Sequence, residues 1–213
     1  MRPERLCKEI TEFLPTDGVV VSDTGHSGIW TGTMIDLNKP GQRYIRCAGS
    51  LGWAFPASLG VKCALPDTPV LCFTGDGGFW YHLGELETAV RYGINTVTIV
   101  NNNHSLNQEK RGNERYYGGE PGNVEELWMF PDTDFSKLAQ DMGDRAAIAR
   151  QTLQLADAHL ERVTNDTALR TSEGQIDDGA LPGHPRRQRL HFLECDIEIE
   201  PNPALGRSAG SVV

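Results

Sequence analysis

The segment PVLCFTGDGGFWYHLGELETAVRYGINTVTIVNNNHS, residues 69–105, decides the fold. It contains two apolar runs, Pro69–Thr74 and Asn95–Val100, each bounded by turn-forming residues, as is typical of buried strands. Between them, Leu83–Tyr92 places its apolar residues on one face of a helix. Unbroken apolar strands that alternate with amphipathic helices predict a parallel sheet covered by helices on both faces.

The same alternation continues towards the N-terminus. Glu4–Leu14 is predicted to form a helix, and Asp17–Asp23 (DGVVVSD) is an apolar run typical of a buried strand. A short run at Tyr44–Arg46 follows, and then the segment 48–65, AGSLGWAFPASLGVKCAL, has the composition of a glycine-rich loop that enters a helix. Pro66 ends that helix. We therefore predict an α/β protein with a mostly parallel sheet.

The pattern weakens towards the C-terminus. After a predicted helix at Phe135–Met142, we expect a further helix at Arg145–Val163 and then a polar segment, 164–189, that is typical of a mobile loop. His191–Ile199 regains the composition of a strand. We expect this C-terminal region to be irregular.

The charge and composition exclude several kinds of partner. The 213-residue chain carries a formal net charge of -9, with 20 Lys and Arg against 29 Asp and Glu. Nucleic acids and anionic lipids are bound mainly through basic surfaces, so we expect neither as a partner. No stretch approaches the roughly 18 apolar residues that a membrane helix needs, and the N-terminus lacks the apolar run of a signal peptide. We therefore expect a cytoplasmic protein without a membrane partner.

Three polar turns follow predicted strands at their carboxyl ends: Thr24–Ser27, Gly75–Gly78 and Asn101–Ser105. Open parallel sheets bind their ligands at this edge. Glycines bring backbone N–H groups close to an anion, whereas the carboxylate of Asp76 would repel a phosphate unless a hard cation lay between them. The amide oxygens of Asn101–Asn103 are suitable ligands for the same cation. Two adjacent strand ends therefore predict a site for a metal diphosphate.

Other phosphate-binding patterns do not fit these residues. The dinucleotide-binding fingerprint needs a third glycine at position 80, where the chain has Trp80, and no Gly-Lys-Ser/Thr completes a Walker motif. The turn Gly75–Gly78 alone also fits an ordinary tight turn. A nucleotide-binding domain is therefore a weak alternative.

The spacing of two of these turns resembles a known cofactor signature. Gly75-Asp76-Gly77 is followed after 24 residues by Asn102-Asn103, which is similar to the signature of enzymes that depend on thiamine diphosphate (ThDP). Residues 49–103 resemble the acetolactate synthase-like and benzoylformate decarboxylase-like branch of that family. The resemblance covers about residues 5–143 and implies the ThDP-binding fold of the C-terminal, pyrophosphate-binding domain.

This resemblance also divides the chain. It implies a ThDP pyrophosphate-binding domain at 1–143, a divergent helix with a mobile loop at 144–190, and a final strand with a tail at 191–213. The implied cofactors are ThDP and Mg²⁺. Asp76 and Asn103 would ligate Mg²⁺ through their side chains, and Ser105 would ligate it through its backbone carbonyl.

Two turns are implied to surround the diphosphate. Gly75 begins the first of them, and Gly77 and Gly78 would present backbone N–H groups to the diphosphate. Gly25 and His26 lie in the turn where family members contact the terminal phosphate. An exposed loop imidazole is an equally good interpretation of His26.

The loop Gly49-Ser50-Leu51 is implied to bind the rings of the cofactor. Leu51 occupies the place of the apolar residue that wedges between the two rings, and Gly49 would offer its carbonyl to the 4′-amino group. A core leucine at the entry of a helix is the alternative interpretation of Leu51.

The resemblance implies a catalytic domain of a 2-keto acid decarboxylase or carboligase, similar to acetolactate synthase. In this family, the glutamate that activates the cofactor lies on a separate pyrimidine-binding domain, which is not found in these 213 residues. We therefore expect an inactive chain unless a homo-oligomer or a subunit with that domain completes the site. A split subunit and a fragment of a longer enzyme are both open. The alternatives are a simple ThDP-dependent decarboxylase or lyase, and a noncatalytic cofactor-binding or assembly module.

Overall fold

Six parallel strands form one sheet in the computed structural model of the chain, which describes residues 2–143, 145–149 and 191–196. The strands are β1 (Val19–Ser22), β2 (Arg43–Arg46), β3 (Val70–Gly75), β4 (Val97–Asn102), β5 (Arg145–Ala149) and β6 (His191–Asp196). Their order across the sheet is β2-β1-β3-β4-β6-β5, and every neighbouring pair is parallel. The predicted α/β fold with a parallel sheet is confirmed.

Helices cover both faces of the sheet. They are α1 (Pro3–Phe13), α2 (Gly25–Met34), α3 (Ala54–Ala64), α4 (Asp76–Tyr81), α5 (Glu85–Tyr92), α6 (Lys110–Tyr117) and α7 (Phe135–Asp141), with a 3₁₀ turn at Val124–Leu127. Among the described residues, none of these helices is long and apolar enough to cross a membrane.

The central strands are apolar on both sides because each side faces a separate core. Val19 and Val21 of β1 point towards a cluster that contains Phe55 of α3, whereas Val20 points towards a cluster with Trp30 of α2. Successive strand residues face opposite sides of a sheet, so a strand buried on both sides has an unbroken apolar sequence. This is why the apolar runs identified the strands so clearly.

Two helices begin inside segments that the sequence analysis interpreted as turns. The turn at residues 24–27 is the start of α2, which begins at Gly25, and the turn at residues 75–78 leads directly into α4. Helix α2 was not predicted because its glycines and β-branched residues have low helical propensity. Packing of its buried face against the sheet overrides that propensity, since Trp30 and Thr31 are buried.

The C-terminal prediction was wrong for the residues that the structure describes. Arg145–Ala149 is strand β5, paired with β6 at the sheet edge, and not the start of a helix. Backbone pairing with β6 outweighs the helical preference of its alanines. The predicted strand at His191–Ile199 is confirmed as β6 over His191–Asp196. The remaining helix residues 150–163, the polar segment 164–189 and the tail 197–213 lie outside the described residues.

The strand order creates a switch point between β1 and β3. The chain leaves β1 towards β2 on one side and leaves β3 towards β4 on the other. Where the winding direction reverses in this way, the connections diverge and leave a crevice at the carboxyl ends of the strands. The polar turns after β1, β3 and β4 meet at this crevice.

Candidate functional site

A cavity of about 310 Å³ opens at the carboxyl ends of β1, β3 and β4. Its walls come from the turn at 24–27, the turn at 75–78, the segment 101–109 and the loop that contains Gly49 and Leu51. This volume lies in the range of small-molecule and cofactor pockets. Three turns that are far apart in sequence therefore form one site, as the sequence analysis predicted.

Asp76 is the buried acid of this cavity. Its side chain accepts a hydrogen bond from the backbone N–H of Ser105 at 2.8 Å (Oδ2), and the residue is only 3% exposed. Burial raises the pKa of Asp76 to about 6, although hydrogen bonds from the backbone of Gly77 and Ser105 and the charge of His104 act in the opposite direction. Removal from water thus outweighs the donors that favour the carboxylate.

The Asn103 amide joins Asp76 to Ser105. One of its two terminal atoms lies 3.2 Å from Asp76 Oδ1 and 3.0 Å from the carbonyl oxygen of Ser105, and the other lies 2.9 Å from Ser105 Oγ. With the amide nitrogen inward, the side chain donates hydrogen bonds to both oxygens. With the amide oxygen inward, three oxygens converge on one point and need a cation to satisfy them. A rotation of one amide therefore converts a closed hydrogen-bonded group into a set of metal ligands.

These three residues fit a hard divalent cation. A carboxylate, an amide oxygen and a backbone carbonyl are the ligand types that Mg²⁺ accepts while it keeps places for phosphate oxygens. Among the residues that the structure describes, no group of three His, Cys, Asp or Glu side chains offers another metal centre. Asp76, Asn103 and Ser105, the predicted set, are brought together by the fold.

The backbone at His104 explains why Asn103 and Ser105 face the same point. His104 has φ 56°, the left-handed conformation that residues other than glycine rarely adopt. The segment is fixed at His104 and just after it, because Phe130 N donates to His104 O at 2.7 Å and Leu106 N donates to Trp128 O at 2.7 Å. The reversal of the chain at His104 brings an amide and a carbonyl to the same side.

The other two asparagines of the run have different partners. Asn101 Nδ2 donates to the Thr74 carbonyl at 2.9 Å, whereas Asn102 Nδ2 donates to the Thr133 carbonyl at 3.0 Å. Both residues belong to β4 and face opposite sides of the sheet. Asn103 is therefore the one of the three that reaches Asp76, as the alignment to the signature implied.

Gly77 and Gly78, in the turn at 75–78, have no room for side chains. A Cβ atom at Gly77 would lie 2.5 Å from Leu106 Cδ2, and one at Gly78 would lie 3.0 Å from Asp23 Oδ2. Both glycines line the cavity, and Gly75 lines it just before α4 begins. The backbone is consequently open to a ligand on the cavity side while other protein groups fill the space behind it.

The turn after β1 forms the opposite wall. Gly25 has φ 68°, and His26 stacks on Trp30 with ring centroids 5.4 Å apart. Burial lowers the pKa of His26, so its imidazole is neutral at neutral pH. The alternative interpretation of His26 as an exposed loop imidazole is wrong, because the side chain is half-buried and lines the cavity.

The loop before α3 contributes Gly49 and Leu51 to the cavity. Leu51 is half-buried, and neither of the two core clusters of the described residues includes it. The interpretation as a core leucine therefore loses support. Ser50 is exposed and is not among the described residues that line the cavity; its carbonyl accepts a hydrogen bond from Trp53 N at 3.3 Å.

The sequence analysis missed Asp23, at the carboxyl end of β1. This acid is 1% exposed and accepts hydrogen bonds from three segments that line the cavity or lead into it. The available signal was an acidic residue that directly ends an apolar strand, where an unpaired charge would be costly. Apart from the adjacent Thr24, the partners lie 29 and more residues away in sequence, so their identity needed the fold.

The fold and the cavity define a class: an α/β domain that holds a ligand at the switch point of a parallel sheet. Comparison with known families identifies the particular member of this class. The model of the family "Thiamine pyrophosphate enzyme, C-terminal TPP binding domain" matches residues 23–169. The chain belongs to this family, and its cofactor is thiamine diphosphate. The match extends past residue 143, so the resemblance is longer than predicted.

Relatives with assigned functions are similar to the same region. The chain is 33% identical over 145 residues to the acetolactate synthase large subunit of Haemophilus influenzae, which covers 67% of this chain and 25% of the relative. It is 29% identical over 209 residues to a probable acetolactate synthase large subunit of Methanocaldococcus jannaschii, covering 94% of this chain and 35% of the relative. The chain thus spans about a quarter to a third of the length of these relatives.

A solved structure shows the same fold. The thiamine diphosphate-dependent 4-hydroxybenzoylformate decarboxylase of Rhodococcus jostii RHA1 superposes with a TM-score of 0.68 at 22% sequence identity. The match covers 94% of this chain and 33% of that protein. It supports the ThDP-binding α/β fold and, at this identity, the fold alone.

Proposed function

We propose that this chain binds the diphosphate of ThDP through Mg²⁺ and forms the cofactor-binding half of a catalytic site for 2-keto acids. The observation that carries the proposal is the position of one Asn103 amide atom, 3.2 Å from Asp76 Oδ1 and 3.0 Å from the Ser105 carbonyl oxygen. Oxygen acceptors gathered at a strand edge beside a glycine turn are suited to a metal diphosphate.

Each wall of the cavity has a role in this proposal. The Gly78 N–H binds a diphosphate oxygen, and the Gly77 N–H, whose acceptor in the metal-free chain is Asp76, does so once that carboxylate ligates Mg²⁺. The metal ion neutralises the charge between Asp76 and the phosphates. His26 is neutral, so it serves as an N–H donor to the terminal phosphate and not as a cation. Gly25 leaves the backbone of the same turn accessible.

The loop with Gly49 and Leu51 is proposed to hold the rings. Leu51 presents an apolar side chain to the cavity, and Gly49 has φ 89° and no atom within 4 Å of a Cβ position. An open backbone at Gly49 leaves its carbonyl free for a ring substituent. Ser50 takes part through the loop backbone, since its side chain does not line the cavity.

The reaction is proposed from the relatives. The H. influenzae relative is an acetolactate synthase large subunit, and we infer decarboxylation of a 2-keto acid, with carboligation, as the activity to which this domain contributes. When bound, the cofactor accepts the electrons released as CO₂ leaves. The described residues of this chain bind and orient it and exclude water around Asp76.

A partner is part of the proposal because the described residues supply only one side of the site. The activating glutamate is expected on a pyrimidine-binding domain, in a second subunit or another part of a longer enzyme. Exposed tyrosines support an association surface: Tyr81 on α4 is 65% exposed, and Tyr116 on α6 is 73% exposed. Sedimentation velocity is expected to show a dimer or a larger assembly. The cytoplasmic location stays a prediction of the sequence.

Calorimetry tests the proposal directly. ThDP is titrated into the full chain with Mg²⁺ and with EDTA; binding is expected only with Mg²⁺. Asp76→Ala is expected to abolish that binding, because it removes the one anionic ligand, whereas Glu120→Ala, which removes an exposed acid, is the control. Metal-independent binding, or full affinity in Asp76→Ala, would contradict the proposed site.

Turnover separates a catalytic domain from a noncatalytic module. Pyruvate consumption is measured for the chain alone and with a polypeptide that carries the pyrimidine-binding domain of an acetolactate synthase. The proposal expects activity only in the mixture. ThDP binding without turnover in any mixture favours the cofactor-binding or assembly module, and release of aldehyde without coupling favours the simple decarboxylase.

A further inference from the structure

We propose that Asp23 is a positioning residue: its buried carboxylate fixes the loop 49–53 against the diphosphate turn and so sets the place of the cofactor rings. This inference rests on the proposed function, because it assigns the loop to the rings. Asp23 does not line the cavity among the described residues, so it acts through other groups. The inference rests on the hydrogen bonds of Asp23, its burial and the conformation of the loop.

Four donors surround the carboxylate. Oδ1 accepts hydrogen bonds from the backbone N–H groups of Thr24 at 2.8 Å and Gly52 at 3.0 Å. Oδ2 accepts from the backbone N–H of Ala54 at 3.3 Å and from the hydroxyl of Thr74 at 3.1 Å. A side chain with four acceptor sites and no donor is the group that this arrangement requires, and hydrogen bonds to a charged acceptor are strong.

These donors lie in or next to three of the four segments that line the cavity. Thr24 precedes the turn of Gly25 and His26, Gly52 and Ala54 lie at the end of the ring loop, and Thr74 is two residues before Asp76. Gly78 packs directly against the Asp23 carboxyl group, since a Cβ atom at Gly78 would lie 3.2 Å from the carboxyl carbon. One buried group therefore sets the spacing between the phosphate turns and the ring loop.

The start of the loop has little packing of its own, so its place depends on how the buried end at Gly52 is anchored. Gly49 and Ser50 are exposed, and both Gly49 and Gly52 have positive φ, 89° and 87°. Its further link to the same strand end is the Gly49 N–H, which donates to Thr24 Oγ1 at 3.3 Å. Glycines leave many backbone conformations accessible, so an external hydrogen-bond acceptor selects the observed one.

Asp23→Asn is the discriminating variant. It keeps the size of the side chain but sets an NH₂ group against backbone N–H donors, so at least one of Gly52 and Ala54 loses its acceptor. The metal set of Asp76, Asn103 and Ser105 is not touched. We therefore expect the variant to weaken binding of the rings and to leave binding of the diphosphate nearly unchanged.

The experiment compares two ligands on the full chain with Mg²⁺: ThDP and inorganic pyrophosphate. Asp23→Asn is expected to raise the Kd of ThDP about tenfold and the Kd of pyrophosphate by less than about threefold. Ser58→Ala is the matched control, because the buried Ser58 hydroxyl donates a hydrogen bond to the Phe55 carbonyl at 2.7 Å within α3 and not to Asp23. It should lower stability without changing the ratio of the two affinities. An equal loss for both ligands in Asp23→Asn would overturn the positioning role.

Hydrogen exchange of the wild-type chain gives a test that needs neither ligand nor variant. Ala54 is the first residue of α3, so no helical carbonyl accepts its N–H, and its protection reports the bond to Asp23. The amides of Gly52 and Ala54 are expected to exchange at least about tenfold more slowly than unprotected loop amides. Unprotected amides would overturn the inference even if ThDP binds. Failure of the wild type to bind either ligand would instead refute the proposed function, and slow exchange would still support Asp23 as the anchor of the loop.

Discussion

The backbone nitrogen of Ser105 donates a hydrogen bond to Asp76 Oδ2 at 2.8 Å, across 29 residues of sequence. This bond joins the turn after β3 to the turn after β4 before any metal is present. Both turns are also held by backbone pairing of β3 with β4, in which Gly75 lies opposite Asn101. The ligand atoms are therefore arranged by the fold, and little ordering remains for the ligand to bring about.

Asp76→Asn is predicted to stabilise the metal-free chain at neutral pH. Burial raises the pKa of Asp76 from 3.8 to about 6. A group with a raised pKa contributes its full stability below pH 3.8 and loses it as the pH rises through 6. At pH 7, the ionised carboxylate then costs up to about 3 kcal/mol, and the neutral amide avoids this. Urea unfolding in EDTA at pH 4 and pH 7 measures the difference.

The comparison needs a charge control. Glu120→Gln removes an equal charge from an exposed side chain, and its effect should stay within about 0.5 kcal/mol. If Asp76→Asn is less stable than wild type at pH 7 without metal, hydrogen bonding and not burial controls this carboxyl group.

His104→Val is predicted to impair the metal set, whereas His104→Gly is not. The backbone at His104 has φ 56°, which glycine adopts freely and a β-branched residue resists by about 1 to 3 kcal/mol. Relaxation of this strain in the valine variant would turn the Asn103 amide or the Ser105 carbonyl away from Asp76. Calorimetric titration with Mg²⁺ and pyrophosphate measures the loss of affinity. His104→Asn serves as the control, because asparagine tolerates this conformation; equal affinities for all three variants would contradict the argument.

Gly52→Ala is predicted to destabilise the chain by about 2 kcal/mol or more. Gly52 has φ 87°, and a Cβ atom there would lie 2.8 Å from the backbone oxygen of Gly78 and 2.7 Å from Tyr81 Cβ. Gly60→Ala is the matched variant, since no atom lies within 4 Å of its Cβ position in α3. It should instead stabilise the chain by up to about 1 kcal/mol, through helical propensity. Thermal unfolding measures the Tm of both variants. A shift of the two Tm values in the same direction would refute the prediction.

Leu51→Ala is predicted to separate ring binding from stability. Leu51 is half-buried in the cavity wall, so its truncation should change the free energy of unfolding by less than about 1 kcal/mol. ThDP affinity should fall about tenfold while pyrophosphate affinity is kept. Leu59→Ala, in the core at 5% exposure, should do the reverse, with a loss of about 2 to 5 kcal/mol in stability. A large stability loss in Leu51→Ala would restore the interpretation as a core residue.

The meeting of Asp76 and Asn103, the proposed metal ligands, was predictable because it depends on strands whose sequence is unambiguous. β3 and β4 are apolar on both faces, and their carboxyl ends must be adjacent in a parallel sheet. Asp76 and Asn103 directly follow these ends, so their meeting followed from the spacing. The choice of Asn103 over Asn101 needed the family signature, because alternation along β4 alone does not tell which amide turns inward.

Other features were beyond local sequence patterns. Helix α2 is held by packing of Trp30 and not by propensity, and β5 is defined by its pairing with β6. The hydrogen bonds of Asp23 come from Gly52, Ala54 and Thr74, which are 29, 31 and 51 residues away. Contacts of this range depend on the complete topology, so no window of sequence reveals them.

The burial of Asp76 has a consequence for the life of the protein in a cell. A ligand that binds only the folded chain stabilises it in proportion to the logarithm of its free concentration. Here the bound metal and cofactor would also offset the free-energy cost of the buried, ionised Asp76 carboxylate. The ligand-free form is therefore the less stable one, and it unfolds and is cleaved by proteases more often. We expect the cellular abundance of this polypeptide to rise when thiamine is plentiful and to fall when it is scarce. The amount of the domain would then report the supply of its own cofactor.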